Sequence, residues 1–137
     1  LDSPMEIKLL EWIKQTKFYS NNAEKIEIQA QFEVGKYLRE LDPRYNHPDY
    51  RTDFLMTFKQ GDKSRKLIIE YDGFVEHFID REKVNEFNYS HYYSEKDIER
   101  EKILESYGFP FLRINKFNTG KDPIISISNK LESFFLT

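Results

Sequence analysis

The sequence predicts a single α/β domain with a central mixed four-stranded sheet flanked by helices. Two observations lead to this prediction. Patterns typical of a helix, three strands, a helix, a strand and a last helix follow one another along 137 residues, and such a mixture packs in layers around one core. Hydrophobic residues make up 39% of the chain, and 12 Phe and 9 Tyr supply large side chains for that core.

The first helix and the first strand are predicted from capping and periodicity. Ser3 suits the N-cap of a helix, Pro4 suits its first turn, and Glu6 stands where a capping-box partner is expected. Segment 25–32 alternates polar and apolar residues, which predicts a half-exposed strand with its even-numbered residues on one face. Segment 34–50 contains two prolines and predicts a connection without assigned structure.

The remaining elements follow from apolar runs and their boundaries. Segments 51–58 and 66–72 are predicted strands joined by a turn, and Gly73 ends the second of them. Segment 74–93 has no clear period, so no structure is assigned to it. The last three predicted elements are a helix from Ser94 to Gly108, a strand at 109–115 and a helix at 122–137.

Composition excludes several kinds of site and sets the expected location. The chain has no cysteine, which excludes disulfides, thiolate zinc sites and cysteine nucleophiles. No apolar run approaches the roughly 18 residues of a membrane span, and no signal peptide is visible, so we expect a cytoplasmic protein without a membrane partner. The net charge of −3 does not itself indicate nucleic-acid binding. Because the chain begins with Leu1, we expect a domain excised from a longer protein.

Three acidic residues interrupt the two predicted strands of the hairpin. If the turn is centred between Gly61 and Asp62, Asp53 lies directly opposite Glu70, and Asp72 shares their face. Like charges in this arrangement are destabilising, and a divalent cation with oxygen ligands would remove the conflict. The sequence therefore predicts a metal site, provided that the register is not shifted by one residue. The alternative is that each acid pairs with a neighbouring arginine or lysine.

These motifs resemble the PD-(D/E)XK nuclease superfamily, and most closely its very-short-patch-repair-endonuclease-like branch with an E-x-D-G-x-x-x-H motif. The resemblance covers almost the whole chain and depends on the order and spacing of the motifs. It implies a restriction-endonuclease-like fold. The matching features are Glu6 on the first helix, Asp53 in “YRTDF”, “EYDG” at 70–73, His77, and then “DIEREKILESYG” and “FLRI”.

The resemblance implies a Mg²⁺-dependent endodeoxyribonuclease or nicking domain that hydrolyses phosphodiester bonds in DNA. Asp53, Glu70 and the Tyr71 carbonyl would hold Mg²⁺, for which Mn²⁺ would substitute. His77 would act as general acid or base, or would orient a water molecule. The implied catalytic residues are Asp53, Glu70, Asp72, His77 and Glu6.

One departure from the superfamily concerns a lysine. The usual Glu-x-Lys pattern has a lysine where this chain has Asp72. Its role would pass to Asp72 together with His77, or to a cation on the second helix such as Arg100 or Lys102. Contacts to DNA are expected from Arg51, Arg100, Lys102, Arg113 and Lys116.

Alternative interpretations stay open at this point. Glu6 is also explained by the capping box alone, and Arg100 by surface ion pairs with its glutamate neighbours. The tail from 111 to 124 resembles the end of nuclease-like domains fused behind superfamily I helicase-type ATPases, which suggests an inactive DNA-binding or docking module. No P-loop motif occurs in this chain, so a helicase-like partner domain would lie upstream. An RNA nuclease would use the same carboxylates.

Overall fold

The computed structural model describes residues 3–137 as a four-stranded sheet with helices packed on both of its faces. This arrangement confirms the predicted α/β class and the flanking helices. The strands are β1 (Ile26–Phe32), β2 (Thr52–Gln60), β3 (Lys63–Tyr71) and β4 (Phe111–Ile114). The helices are α1 (Pro4–Gln15), α2 (Lys17–Asn22), α3 (Val34–Leu41), α4 (Phe74–His77), α5 (Glu95–Ser106) and α6 (Pro123–Phe135), with 3₁₀ turns at Ala23–Lys25, Arg81–Lys83 and Tyr89–His91.

The sheet is mixed, as predicted, with the strand order β1-β2-β3-β4. The first three strands are antiparallel, and β4 lies parallel to β3 after the crossover that contains α5. In the β2–β3 hairpin, Phe54 pairs with Ile69 and Gln60 pairs with Lys63, which confirms the predicted register. Gly61 has φ +65° in the turn, a left-handed conformation that glycine adopts without steric cost.

Both faces of the sheet are buried, which explains the nearly continuous apolar runs of β2 and β3. One face packs on α1, α2 and α6, whereas the other packs on α3 and α5. Alternation along β2 sends Phe54 and Met56 to the first face and Leu55 to the second. Within residues 3–137, none of the helices has both the length and the apolar character that crossing a membrane requires.

The prediction that the even-numbered residues of β1 share one face was wrong at its end. Ile26 packs on the first face of the sheet, whereas Phe32 packs on the second. Gln31, which precedes Phe32, has φ 51° in the left-handed region. This conformation breaks the regular alternation of the strand, and Phe32 then contributes to the opposite core.

The predicted helix starts are confirmed by their hydrogen bonds. The Glu6 N–H donates to Ser3 Oγ at 3.1 Å, and the Asp97 N–H donates to Ser94 Oγ at 3.2 Å. Asp122 caps α6 in the same way, and Gly108 follows α5 with φ +90°. The short helices α2, α3 and α4 were not predicted.

Candidate functional site

Charged side chains gather at the end of the sheet opposite the hairpin turn. Asp53 lies near the start of β2, and Glu70 and Tyr71 end β3. The structure divides the acids of this region into two groups. One group is neutralised by two largely buried arginines, Arg100 and Arg113, and is called here the arginine cluster. The other lines an open cavity and is called the carboxylate cavity.

Glu70 belongs to the arginine cluster and is bound by Arg100 of α5. Arg100 Nη1 donates to Glu70 Oε1 at 2.8 Å, and Arg100 Nη2 donates to Glu70 Oε2. Arg100 Nη2 also donates to the Arg51 carbonyl oxygen at 2.9 Å. Glu70 is only 4% exposed, so this two-point ion pair satisfies a carboxylate that burial would otherwise penalise.

Arg113 of β4 is the centre of the arginine cluster because it contacts several carboxylates. It donates from Nε to Asp72 Oδ2 at 2.7 Å, from Nη2 to Asp97 Oδ1 at 3.0 Å and from Nη1 to Glu101 Oε1 at 3.0 Å. The Asp72 side chain has no exposed surface. Burial raises the pKa of Asp72, and the hydrogen bonds from Arg113 oppose that rise.

His77 is held in place by Asp97, which begins the motif “DIEREKILESYG” but was not among the predicted site residues. His77 Nδ1 lies 2.8 Å from Asp97 Oδ1, and Ser94 Oγ donates to Asp97 Oδ2 at 2.6 Å. The hydrogen bond to Asp97 raises the pKa of His77 above its ordinary value. Burial favours neutral Asp97, but its bonds with His77 and Ser94 and the nearby positive charges outweigh burial and lower its pKa to about 2. His77 is therefore an oriented imidazole with a stabilised protonated form.

The carboxylate cavity has a volume of about 460 Å³ and lies beside the arginine cluster. It contains three carboxylates and His77, and no arginine or lysine is among the described residues that line it. A phosphate would be repelled from such a cavity unless a cation were bound in it. The lining residues are Ser3, Pro4, Met5, Glu6, Asp53, Tyr71, Gly73, Glu76 and His77.

Asp53 and Glu6 are the two interacting acids of the cavity. Asp53 Oδ2 accepts a hydrogen bond from the Tyr71 N–H at 2.9 Å. Burial raises the pKa of Asp53 to about 7, together with repulsion from Glu70 and Glu6 and a side-chain hydrogen bond with Glu6. Glu6 Oε2 is buried and has no hydrogen-bond partner among the described residues. An unsatisfied buried carboxylate oxygen is costly, and a bound cation would satisfy it.

The cavity offers part of a metal site. Within residues 3–137, no three side chains of His, Cys, Asp or Glu are close enough together to form a metal-binding group. The unsatisfied Glu6 oxygen and Asp53 nevertheless fit Mg²⁺, which binds through one or two carboxylates and takes water or phosphate oxygens as its other ligands. Of the predicted ligands, Asp53 and Tyr71 line this cavity, whereas Glu70 is paired with Arg100.

The predicted DNA-binding residues fall into two groups. Arg100 and Arg113 are engaged in ion pairs and are largely shielded from solvent, and Arg100 also donates a hydrogen bond to the Arg51 carbonyl oxygen. Lys102 is exposed on α5 outside the cluster, and Lys116 Nζ lies 3.8 Å from the centre of the Phe74 ring. Lys102 and Lys116 therefore belong neither to the arginine cluster nor to the carboxylate cavity.

Asp97 and Glu76 are two acids of this region that were not among the predicted site residues, and Glu101, which pairs with Arg113, was considered only as a neighbour of Arg100. The position of Asp97 three residues after Ser94 had already been explained by the start of α5. Glu76 lies in segment 74–93, which has no regular period. Their positions in the sequence could have indicated both acids. Glu76 directly precedes His77, and Asp97 lies one helical turn before Arg100.

Comparison with known proteins gives no match to this chain. No protein family matches the chain, and no curated protein and no solved structure is similar enough to it to count as a match. The resemblance to the nuclease superfamily remains an expectation from the motifs.

Asp53→Asn is expected to raise the melting temperature in EDTA, and to raise it more at higher pH. Between pH about 4 and about 7, folded Asp53 keeps a proton that the unfolded chain has lost. This group therefore makes wild-type stability fall as pH rises through that window, whereas asparagine does not ionise. The advantage of the variant should grow from pH 4 to 7 and then level off. Asp62→Asn in the hairpin turn is the control, and an equal effect of both variants at every pH would refute the expectation.

Proposed function

We propose that this domain is a metal-dependent DNA endonuclease or nicking domain that hydrolyses phosphodiester bonds, on a restriction-endonuclease-like fold. The observation that supports this proposal best is the buried, unpartnered Glu6 Oε2 beside Asp53 in an open cavity. The order of the elements, with Asp53 on β2 and “EYDG” ending β3, agrees with the motifs that suggested the superfamily.

Glu6 and Asp53 would hold the cation, which is Mg²⁺ or, in its place, Mn²⁺. Both are hard cations that prefer oxygen ligands. When bound, such a cation supplies Lewis-acid activation of the scissile phosphodiester and of water. The cavity is lined by acids, of which Asp53 ionises fully only above pH about 7, and by no described arginine or lysine, so entry of a DNA phosphate depends on the cation.

His77 is the residue proposed to move a proton. Its Nδ1 is engaged by Asp97, so Nε2 is the nitrogen that can take a proton from water or give one to the leaving oxygen. Asp97 favours the protonated ring and fixes its orientation. Because His77 lines the same cavity as Asp53, both groups can reach one substrate.

Arg100 and Arg113 are proposed to position the site. The lysine of the superfamily's usual pattern is absent, and Asp72, which takes its place, is bound by Arg113. The two arginines hold Glu70 and Asp72 at the end of β3, next to Tyr71, whose N–H fixes Asp53. Contacts to DNA phosphates would come from the exposed residues Arg51, Lys102 and Lys116.

A second candidate is an inactive DNA-binding or docking module, with a helicase-like domain upstream as its partner. The engagement of both Glu70 oxygens by Arg100 favours this alternative, because Glu70 is then not available to a metal. It predicts salt-dependent DNA binding that neither EDTA nor Asp53→Asn changes.

The proposal is tested by nicking of supercoiled plasmid with Mg²⁺ or Mn²⁺, with EDTA as the blank. The wild type should convert the plasmid to the open circle, and Asp53→Asn and Glu6→Gln should each slow this by about a hundredfold or more. Asp62→Asn and Glu11→Gln, which change exposed acids on the same hairpin and the same helix, should cut normally.

Two results would contradict the proposal: no cleavage by the wild type, or cleavage that both site variants retain. DNA binding without cleavage would favour the docking module. Matched DNA and RNA oligonucleotides of one sequence determine which nucleic acid is the substrate.

A further inference from the structure

The position of His77 depends on contacts from outside its own helix. Helix α4 has only four residues, and so short a helix is not stable without tertiary contacts. The His77 carbonyl oxygen accepts a hydrogen bond from the Ser94 N–H at 2.8 Å, and its ring is bound by Asp97. Ser94 is the N-cap of α5 and Asp97 is the third residue of that helix. The start of α5 therefore holds both the backbone and the ring of His77.

Helix capping explains only one of the three hydrogen bonds of Ser94. Its Oγ accepts a bond from the Asp97 N–H at 3.2 Å, as expected of an N-cap serine. In a full capping box, the carboxylate at the third helical position would in turn accept a bond from the N-cap N–H. Here the Ser94 N–H donates to His77 instead, and Ser94 Oγ donates its own hydrogen to Asp97 Oδ2 at 2.6 Å. Ser94 thus binds the carboxylate that holds the His77 ring.

The bond to Asp97 determines which ring nitrogen of His77 carries the proton. The pKa of Asp97 is lowered to about 2, so at neutral pH its carboxylate is ionised and only accepts hydrogen bonds. His77 Nδ1 therefore donates, which leaves Nε2 of the neutral ring without a proton. Asp72 Oδ1 lies 3.8 Å from Nδ1, too far for a hydrogen bond that would replace the one to Asp97.

Arg113 competes with His77 for the Asp97 carboxylate. Arg113 Nη2 donates at 3.0 Å to Asp97 Oδ1, the same oxygen that binds His77. A guanidinium binds a carboxylate most strongly when it contacts both oxygens. The Ser94 hydroxyl occupies the second oxygen, Oδ2, and so keeps Oδ1 directed at His77.

We propose that Ser94 is a positioning residue for His77, whose hydroxyl holds Asp97 so that the neutral imidazole carries its proton on Nδ1 and leaves Nε2 unprotonated. Its consequence for catalysis rests on the proposed function, in which Nε2 takes up or returns a proton. The tautomer itself does not depend on that function and can be measured without DNA or metal.

The test determines the tautomer of His77 from the ring ¹⁵N shifts of the whole labelled chain, on the alkaline side of the folded-state pKa of His77. The wild type should carry the proton on Nδ1. Ser94→Gly should also populate the form protonated on Nε2, although glycine is itself a favoured N-cap residue. Ser94→Ala removes the same hydroxyl with a different backbone preference and should give the same result. Asp97→Asn should change the tautomer at least as much, because an amide can donate to Nδ1.

Two further variants separate the hydroxyl from other effects of substitution. Ser94→Thr keeps a hydroxyl at the N-cap and should restore the wild-type tautomer. Ser106→Gly removes a hydroxyl from the other end of α5, where Ser106 Oγ donates to the Ile103 carbonyl oxygen, and should leave the tautomer unchanged. Thermal unfolding of each variant establishes that it is folded.

The plasmid nicking assay measures the consequence for catalysis. Ser94→Gly should lower kcat about tenfold through misplacement of the ring and leave KM nearly unchanged, because the ring transfers a proton and does not bind the DNA backbone. Ser94→Thr should restore kcat.

The outcomes separate this inference from the proposed function. If Ser94→Gly and Ser94→Ala keep the wild-type tautomer, or if Ser94→Thr behaves as they do, the hydroxyl does not position His77 and the inference fails. If the tautomer changes as expected but the wild type does not nick DNA, the proposed function fails and the positioning role stands. If the tautomer changes and kcat stays within about twofold of the wild type, the consequence for catalysis is refuted.

Discussion

Arg113→Met is expected to lower the free energy of unfolding by about 3–5 kcal/mol at pH 7, the usual cost of leaving buried charges without their partner. Arg113 is 10% exposed and donates to Asp72, Asp97 and Glu101, and the Asp72 side chain has no exposed surface. Methionine has a similar length but cannot neutralise these carboxylates. Urea unfolding at constant pH measures the loss.

Arg39→Met is the matched control for this prediction. Arg39 pairs with Asp49 at the surface, where the two side chains are 48% and 44% exposed, so its loss should cost at most about 1 kcal/mol. The penalty of Arg113→Met should also shrink as pH falls, because Asp72 then takes up a proton. Similar losses in the two variants, or a penalty that does not depend on pH, would show that Arg113 acts through packing alone.

His77→Asn is expected to slow metal-dependent nicking by about 10²–10⁴-fold, the usual contribution of a general acid or base. The asparagine amide can keep the hydrogen bond to Asp97 but cannot take up a proton. The pKa of His77 is raised, so its stabilising effect is complete below pH about 6.5 and is lost as pH rises through the folded-state value. Rates should therefore be compared on the alkaline side of the folded-state pKa, where the variant and the wild type differ least in stability.

His91→Asn makes the same change at an exposed histidine outside the cavity and should leave the rate unchanged. A second measurement follows the nicking rate of the wild type and of the variant against pH. If His77 transfers a proton, its titration gives the wild-type pH–rate profile a sloping limb that the profile of the variant lacks. If His77→Asn nicks plasmid within about twofold of the wild type at every pH, the ring has no part in proton transfer.

Local signals in the sequence predicted most of the sheet and the long helices. The hairpin register followed from the turn at Gly61, and the starts of α1 and α5 followed from Ser3 and Ser94. Helix α3 was missed because the two prolines that follow it led the whole segment 34–50 to be treated as a connection, although Val34, Leu38 and Leu41 stand at helical spacing. It forms because Val34 and Leu38 bury their side chains against the second face of the sheet.

The site was predicted only in part. The sequence placed Asp53 opposite Glu70, and repulsion between these two acids contributes to the raised pKa of Asp53. It could not show that Arg100, thirty residues further along the chain, binds Glu70. The capping role of Glu6 was visible in the sequence, but the position of its carboxylate beside Asp53 depends on how α1 packs against the sheet.

The sequence by itself determined the order of the strands and the long helices, the hairpin register and the presence of acids at one end of β2 and β3, because these depend on near neighbours and on periodicity. Only the tertiary structure decided which acids are neutralised. The crossover through α5 to the parallel strand β4 brings Arg100 and Arg113 to Glu70 and Asp72. Glu6, Asp53 and Glu76 remain around the open cavity, because no described arginine or lysine side chain lines it.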